Sequence, residues 1–214
     1  TRGRLLRANM KALWGRRRVI ESVFGLAVFW TISQIMLAVF PTYAEQNLGE
    51  TNTFIIQGAM ALAGIGIMIG SAIAGRLSHQ HINTGLIPLG ALGVALGLWL
   101  LPSATSMIFS AGMFFLIGVS GALMIIPLNA LIQFHAPEKQ LSTVLAGNNF
   151  IQNIAMIAGL MVTVVASVMA LGAGWLLYLL AGVATLGAFH AVKQLPEALI
   201  RLLVSTIIRR KYNL

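Results

Sequence analysis

The 214-residue sequence contains no cysteine and no aspartate, and only 9% of its residues are charged. Without cysteine there is no disulfide framework, no Cys-ligated zinc, no iron–sulfur cluster and no thiol nucleophile. An ordinary soluble domain carries about 25% charged residues. A chain this poor in charge, 58% hydrophobic and with mean hydropathy +0.88, is not a water-soluble globule. Disorder needs the opposite composition and is excluded more firmly still. What charge there is leans one way: 14 Lys and Arg against five Glu, a net +9. In a soluble protein that balance would point to nucleic acid; here its distribution points to a membrane. The first residue is Thr1 rather than Met, which reads as a piece of something longer.

A bilayer core is ~30 Å thick and a helix crosses it in about 20 residues. Residues 54–74 form one uncharged, largely apolar run of that length, and 23–41 another, broken only by Thr31, Ser33 and Gln34. Residues 82–134 contain neither charge nor histidine, too long a run for one crossing. Leu101-Pro102-Ser103 is the natural break, because proline disfavours helix in the residue before it. Residues 140–189 are likewise free of charge and histidine and divide near Leu171-Gly172-Ala173-Gly174. The expected fold is an all-α membrane protein with six transmembrane helices, at about 20–43, 54–75, 84–101, 106–132, 144–168 and 173–192.

Basic residues near span ends mark the cytoplasmic side. Arg2, Arg4, Arg7, Lys11, Arg16, Arg17 and Arg18 precede the first span; Arg76 follows the second and Lys139 the fourth; Lys193, Arg201, Arg209, Arg210 and Lys211 follow the sixth. That is every Lys and Arg in the chain. The opposite loops hold only Glu45 and Glu50. Such complete alternation predicts an even number of crossings with both ends cytoplasmic. Residues 1–18 and 194–214 then divide off as amphipathic ends flanking a six-helix unit over 19–193. The basic N-terminal segment suits either an interfacial helix on anionic lipid or a loop whose charges merely orient the protein. The C-terminal one reads as a membrane-surface helix leading toward a further domain.

Polar side chains persist in a span only where they find partners or line a wet cavity. The first span has Gln34, the fourth Asn129 with Gln133 one turn on, and the fifth Asn148, Asn149, Gln152 and Asn153. Asn148/Gln152 and Asn149/Asn153 are i,i+4 pairs, two adjacent amide stripes on one helix. Interhelical amide bonding, worth about 0.6 kcal/mol each, explains a lone Asn well. Six amides on two helices point rather to a polar pathway, although a water-filled inner mouth would also place them in the cytoplasmic half.

Chemistry is not expected on this chain. His79, His81, His135 and His190 lack metal-ligand spacing, no glycine-rich phosphate loop with a following Lys occurs, and no His-x-x-x-x-Asp can exist without Asp. No acidic or basic group lies deep in a span, so no proton relay is offered. No cofactor and no nucleic-acid partner are expected.

Gly118-Val119-Ser120-Gly121, leading to Ile126-Pro127-Leu128-Asn129-Ala130-Leu131-Ile132-Gln133, and then Ala146-Gly147-Asn148 with Gln152-Asn153, resemble the bacterial lysophospholipid transporter family of the major facilitator superfamily. The resemblance covers about residues 10–193 and implies the second six-helix half of a twelve-helix transporter, with the missing N-terminal half as its partner. The superfamily's loop motif Gly-x-x-x-Asp-Arg-x-Gly-Arg falls at residues 70–78, where Arg76 stands as the gating-loop residue and the Asp is absent. The tail from Leu195 through Arg209-Arg210-Lys211-Tyr212 resembles the junction to a fused phospholipid acyltransferase, sometimes followed by an acyl carrier protein ligase domain.

The resulting expectation is a bacterial inner-membrane protein, itself no enzyme, that moves lysophospholipid such as lysophosphatidylethanolamine to the inner leaflet for reacylation. Gln34, Asn129, Gln133, Asn148, Asn149, Gln152 and Asn153 are the candidate headgroup path, and membrane phospholipids and lysophospholipids are the expected partners. Two other readings stand beside it. One is a facilitator for a soluble metabolite or drug, which a buried carboxylate or Arg in the other half would favour. The other is a non-transporting anchor for an acyltransferase, which would tolerate exchange for an unrelated anchor.

Overall fold

The computed structural model describes residues 17–78, 82–136 and 140–196. Most of both amphipathic ends, and Lys139, His79 and His81, lie outside the described residues. Six α-helices account for nearly all the rest: α1 (Arg17–Leu48), α2 (Thr53–Leu77), α3 (Leu86–Leu100), α4 (Met107–His135), α5 (Leu141–Val168) and α6 (Ala173–Gln194). All six are long and apolar enough to cross a membrane, α3 together with the 3-10 turn Leu101–Ser103 that continues it. Hydrocarbon offers no hydrogen bonds, so the backbone of a crossing must satisfy itself, and a helix does so within one segment.

The helix ends follow local chemistry. Asn52 Oδ1 accepts the Phe54 N–H (2.9 Å) at the start of α2, and Ser106 Oγ accepts the Phe109 N–H at the start of α4; both are side-chain N-caps. Pro102 stops α3 as expected. The first span runs one turn further than hydropathy suggests. α1 passes through Pro41 and ends only where Gly49 takes φ +67°, after which Glu50 N–H donates to the Ala44 carbonyl. At 1.5 Å per residue its 32 residues extend roughly 48 Å, so the Glu45–Gln46–Asn47 turn projects past an apolar core of ~30 Å. Between α5 and α6 the left-handed residue is Ala170 (φ 55°), not one of the nearby glycines. Leu171 N–H donates to the Ala166 carbonyl, the wide bond of a Schellman turn.

The packing has an internal symmetry. α1 and α4 lie side by side, α2 packs along α4 and α5 along α1, while α3 backs α4, α6 backs α1, and α3 and α6 meet. Each relation made by the first three helices is repeated by the last three, so two three-helix units interlock. The central seam is apolar: Phe40 meets Phe114 edge to face at 4.6 Å, above fully buried Leu26, Met36, Leu98 and Leu177. Polar ties between elements are few. Tyr43 Oη donates to the Pro102 carbonyl (2.8 Å) and Trp99 Nε1 to Thr185 Oγ1 (2.9 Å).

The α2–α4 contact is so close that backbone meets backbone. A Cβ on Gly66 would collide with the Phe115 carbonyl, and one on Gly118 with the Ala63 carbonyl, whereas Gly64, one face away, meets nothing within 4 Å. Small residues permit such approach in membranes, where dispersion rather than water exclusion holds helices together. Gly66→Ala and Gly118→Ala should therefore each destabilise the protein by about 1–3 kcal/mol, read as thermal unfolding in detergent. Gly64→Ala should be neutral.

Candidate functional site

The amides stand on α4 and α5, two helices that both pack on α1. A Cβ on Gly25 would meet Leu128 at 3.3 Å and one on Gly121 would collide with the Phe29 ring, so α4 lies close against α1. Asn129 falls between Gly118 and Ala122 at ~100° per residue, on the arc of α4 that faces α2. It is half-buried, and its Nδ2 donates to the Ile125 carbonyl (3.1 Å) beside Pro127. Gln133, one turn on, is exposed. On the other flank, Gly159 of α5 rests on Thr31 and Ile35 of α1. The α5 amides begin six residues before Gly159, toward the same end as Asn129.

The surface of α5 is partitioned into three strips. Val144, Asn148, Gly159 and Ala166 share the strip packed on α1. Ser142, Asn149, Asn153 and Ser167 are exposed and fall within roughly 40° of one another at ~100° per residue. Phe150, Ile154, Ile157, Met161, Val165 and Val168 are exposed and fill the next strip round. α5 therefore presents a polar edge directly beside an apolar one. Ser142 continues that edge toward the start of the helix, while Ser167 lies on the same arc beyond Met156 and Leu160; the 7- and 18-residue spacings from Asn149 carry the signal, but lone serines in an apolar run do not attract notice.

Within the amide group the roles differ. Asn148 is 3% exposed and accepts from Gln152 Nε2 at 2.8 Å, so this pair belongs to the α1–α5 contact. Asn149 and Asn153 face outward, with Asn153 Nδ2 donating to the Asn149 carbonyl (2.9 Å). Asn129 and Asn153 thus fold their donors back onto carbonyls four residues earlier. Such local bonds satisfy an amide when nothing else does and are exchanged at little cost when a ligand offers a better partner. Among the described residues, no hydrogen bond joins the α4 amides to those of α5. Gln34 stands apart: it is half-buried on α1, nine residues and ~14 Å along the axis from the Gly25 level, and its side chain makes no hydrogen bond among the described residues. Arg76 is exposed in the last turn of α2, where a cation suits the negative helix end.

Chemically, a row of neutral amides supplies donors and acceptors together. It can hold a phosphate and an ammonium group without fixing either as an ion pair would. Among the described residues no group of three His or Glu side chains could hold a metal ion.

Residues 2–160 match the Major Facilitator Superfamily. The chain is similar to the lysophospholipid transporter LplT of Klebsiella pneumoniae (strain 342), with 26% identity over 152 residues, covering 69% of this chain and 37% of that protein. LplT of Enterobacter sp. (strain 638) is 27% identical over the same length and shares. LplT of Shigella sonnei (strain Ss046) is 29% identical over 145 residues, 67% of this chain and 35% of that one. The chain therefore spans little more than a third of the length of the curated relatives it matches. No solved structure matches it.

The two amide pairs should separate on mutation. Gln152→Leu leaves the buried Asn148 carbonyl oxygen without its donor and should cost about 1 kcal/mol, seen as a lower unfolding midpoint. Asn149→Leu and Asn153→Leu, on an exposed edge, should leave that midpoint within error.

Proposed function

This chain belongs to the major facilitator superfamily, and from that premise we propose that it forms the second six-helix half of a twelve-helix transporter moving lysophospholipid to the inner leaflet. It is a multi-pass membrane protein. Lysophosphatidylethanolamine is the representative substrate. The observation that carries the reading is the partition of α5: an amide edge holding Asn149 and Asn153 runs beside the apolar strip of Phe150, Ile154 and Ile157. A single-chain lipid has this same division. Its headgroup needs hydrogen-bonding partners through the bilayer, while its chain is best left in hydrocarbon. A soluble solute would need the polar edge walled off from lipid on both sides.

Asn129 and Gln133 on α4 and Asn149 and Asn153 on α5 line the headgroup route in this reading. Asn148 and Gln152 set the position of α5 against α1, and Gln34 meets the headgroup at mid-membrane. Arg76 serves as the gating-loop cation. The missing N-terminal half covers the outward faces of α2 and α5, the two helices each held along one side in this chain. Both ends lie in the cytoplasm of a bacterial inner membrane, where an acyltransferase, fused or associated, restores the second chain. The chain itself supplies passage and no catalysis, which agrees with transporter relatives.

The test uses the full-length protein in sealed membrane vesicles with labelled lysophosphatidylethanolamine. Asn129→Leu, Asn149→Leu and Asn153→Leu combined should reduce uptake at least tenfold, with the unfolding midpoint unchanged. Normal uptake by that variant would reduce the amides to surface residues and end the proposal.

A further inference from the structure

The two ends of the six-helix unit meet in a seam that the transport reading does not use. Glu21, one turn into α1, accepts from Arg17 Nε at 2.7 Å and from Gln194 Nε2, the last residue of α6, at 3.4 Å. Gln194 Nε2 also lies 3.0 Å from His190 Nε2 one turn back. Lys193 sits over the Phe189 ring, 4.8 Å from its centroid. Arg17, paired with Glu21, and Lys193, next to Gln194 in the chain, therefore stand on the two sides of this seam, and both are exposed.

Their hydrogen-bonding capacity is largely unspent. Arg17 gives its Nε to Glu21 and, among the described residues, its Nη groups have no hydrogen-bond partner. Lys193 has no carboxylate partner among the described residues. Below the charges the same helices turn apolar and stay exposed: Phe189 and Leu186 descend from Lys193 on α6, and Phe24 lies two turns from Arg17 on α1. Charge at the membrane surface above exposed apolar side chains has the division of a phospholipid, with phosphate over acyl chains.

We infer that the α1–α6 seam, through Arg17 and Lys193, binds the phosphodiester of an anionic phospholipid in the leaflet at this end. Arg17 offers a planar pair of donors and Lys193 a point charge. Glu21 and Gln194 tie together the two helix ends that carry these cations. Basic pockets between helices at the cytoplasmic surface suit such headgroups. The site is resident rather than transported-lipid chemistry, so it stands whichever substrate the amide edge passes. It would tie the end of α6, and whatever follows it, to the start of α1 through a bound lipid.

The test is native mass spectrometry of the full-length protein taken from phosphatidylcholine vesicles containing one-tenth phosphatidylglycerol. The wild type should retain phosphatidylglycerol well above its share of the bilayer. A basic residue near an anionic surface contributes about 1 kcal/mol, roughly a fivefold change in occupancy, so Lys193→Gln and Arg17→Gln should each lower retention about fivefold. Lys193→Arg should keep it. Arg76→Gln, which removes an equal charge elsewhere, should change nothing, and inorganic phosphate in the buffer should not displace the lipid. Unchanged retention in Lys193→Gln, an equal loss in Arg76→Gln, or displacement by free phosphate would each overturn the proposal.

Discussion

Hydrocarbon cannot hydrogen-bond, and nearly every feature of this protein is a way of living with that. Backbone polarity is consumed within six helices, and the hydroxyls inside them are consumed the same way. Ser22 donates to the Arg18 carbonyl, Thr31 to Ala27, Ser33 to Phe29 and Thr185 to Ala181. Each is a side chain bonding one turn back on its own helix. What remains for packing is shape, and the closest contact, α2 on α4, is made by glycines that let one backbone lie against another. Among the described residues, side-chain polar ties between helices occur at a few points: Tyr43 to Pro102 and Trp99 to Thr185 across α-helical boundaries, and Glu21 to Gln194 where α1 begins and α6 ends.

Against that background the amides on α4 and α5 are notable for where they are rather than for their number. Asn148 and Gln152 bond to each other inside the α1–α5 contact, and interhelical packing accounts for them. Asn149 and Asn153 gain no packing partner; they stand on a polar edge adjoining a broad apolar strip. Membership of the major facilitator superfamily and similarity to proteins named lysophospholipid transporters fit such an edge, because a one-chain lipid asks for both surfaces at once.

The spans were legible from the sequence because the bilayer imposes a length and a composition on them, and Leu101-Pro102-Ser103 marks a break that the 3-10 turn at Leu101–Ser103 occupies. The end of α1 was not legible. Its last turn, with Glu45, Gln46 and Asn47, lies beyond the apolar core, where hydropathy no longer tracks helix, and Pro41 suggests an end where none occurs. The turn before α6 lies between Val168 and Ala173, where the Leu171-Gly172-Ala173-Gly174 break pointed, although Ala170 rather than a glycine takes the left-handed position. The candidate site was half legible. Amide spacing identified the two stripes on α5, but only the packing of Gly159 on Thr31 and Ile35 separates the stripe that faces α1 from the one that faces outward. The separation of Gln34 from the other amides depends on the pairing of α1 with its neighbours, which a single helix pattern does not contain.

The whole account rests on one arrangement: six crossings, with the basic helix ends on the cytoplasmic side and Glu45 and Glu50 outside. Because this chain has no cysteine, Arg76→Cys and Glu50→Cys can be made in a full-length protein otherwise cleared of thiols and probed in intact cells with a membrane-impermeant maleimide. The account predicts that the residue at 50 is labelled from outside and the residue at 76 only after the membrane is opened. Labelling at 76 in intact cells, or protection at 50 with labelling after lysis, would contradict it.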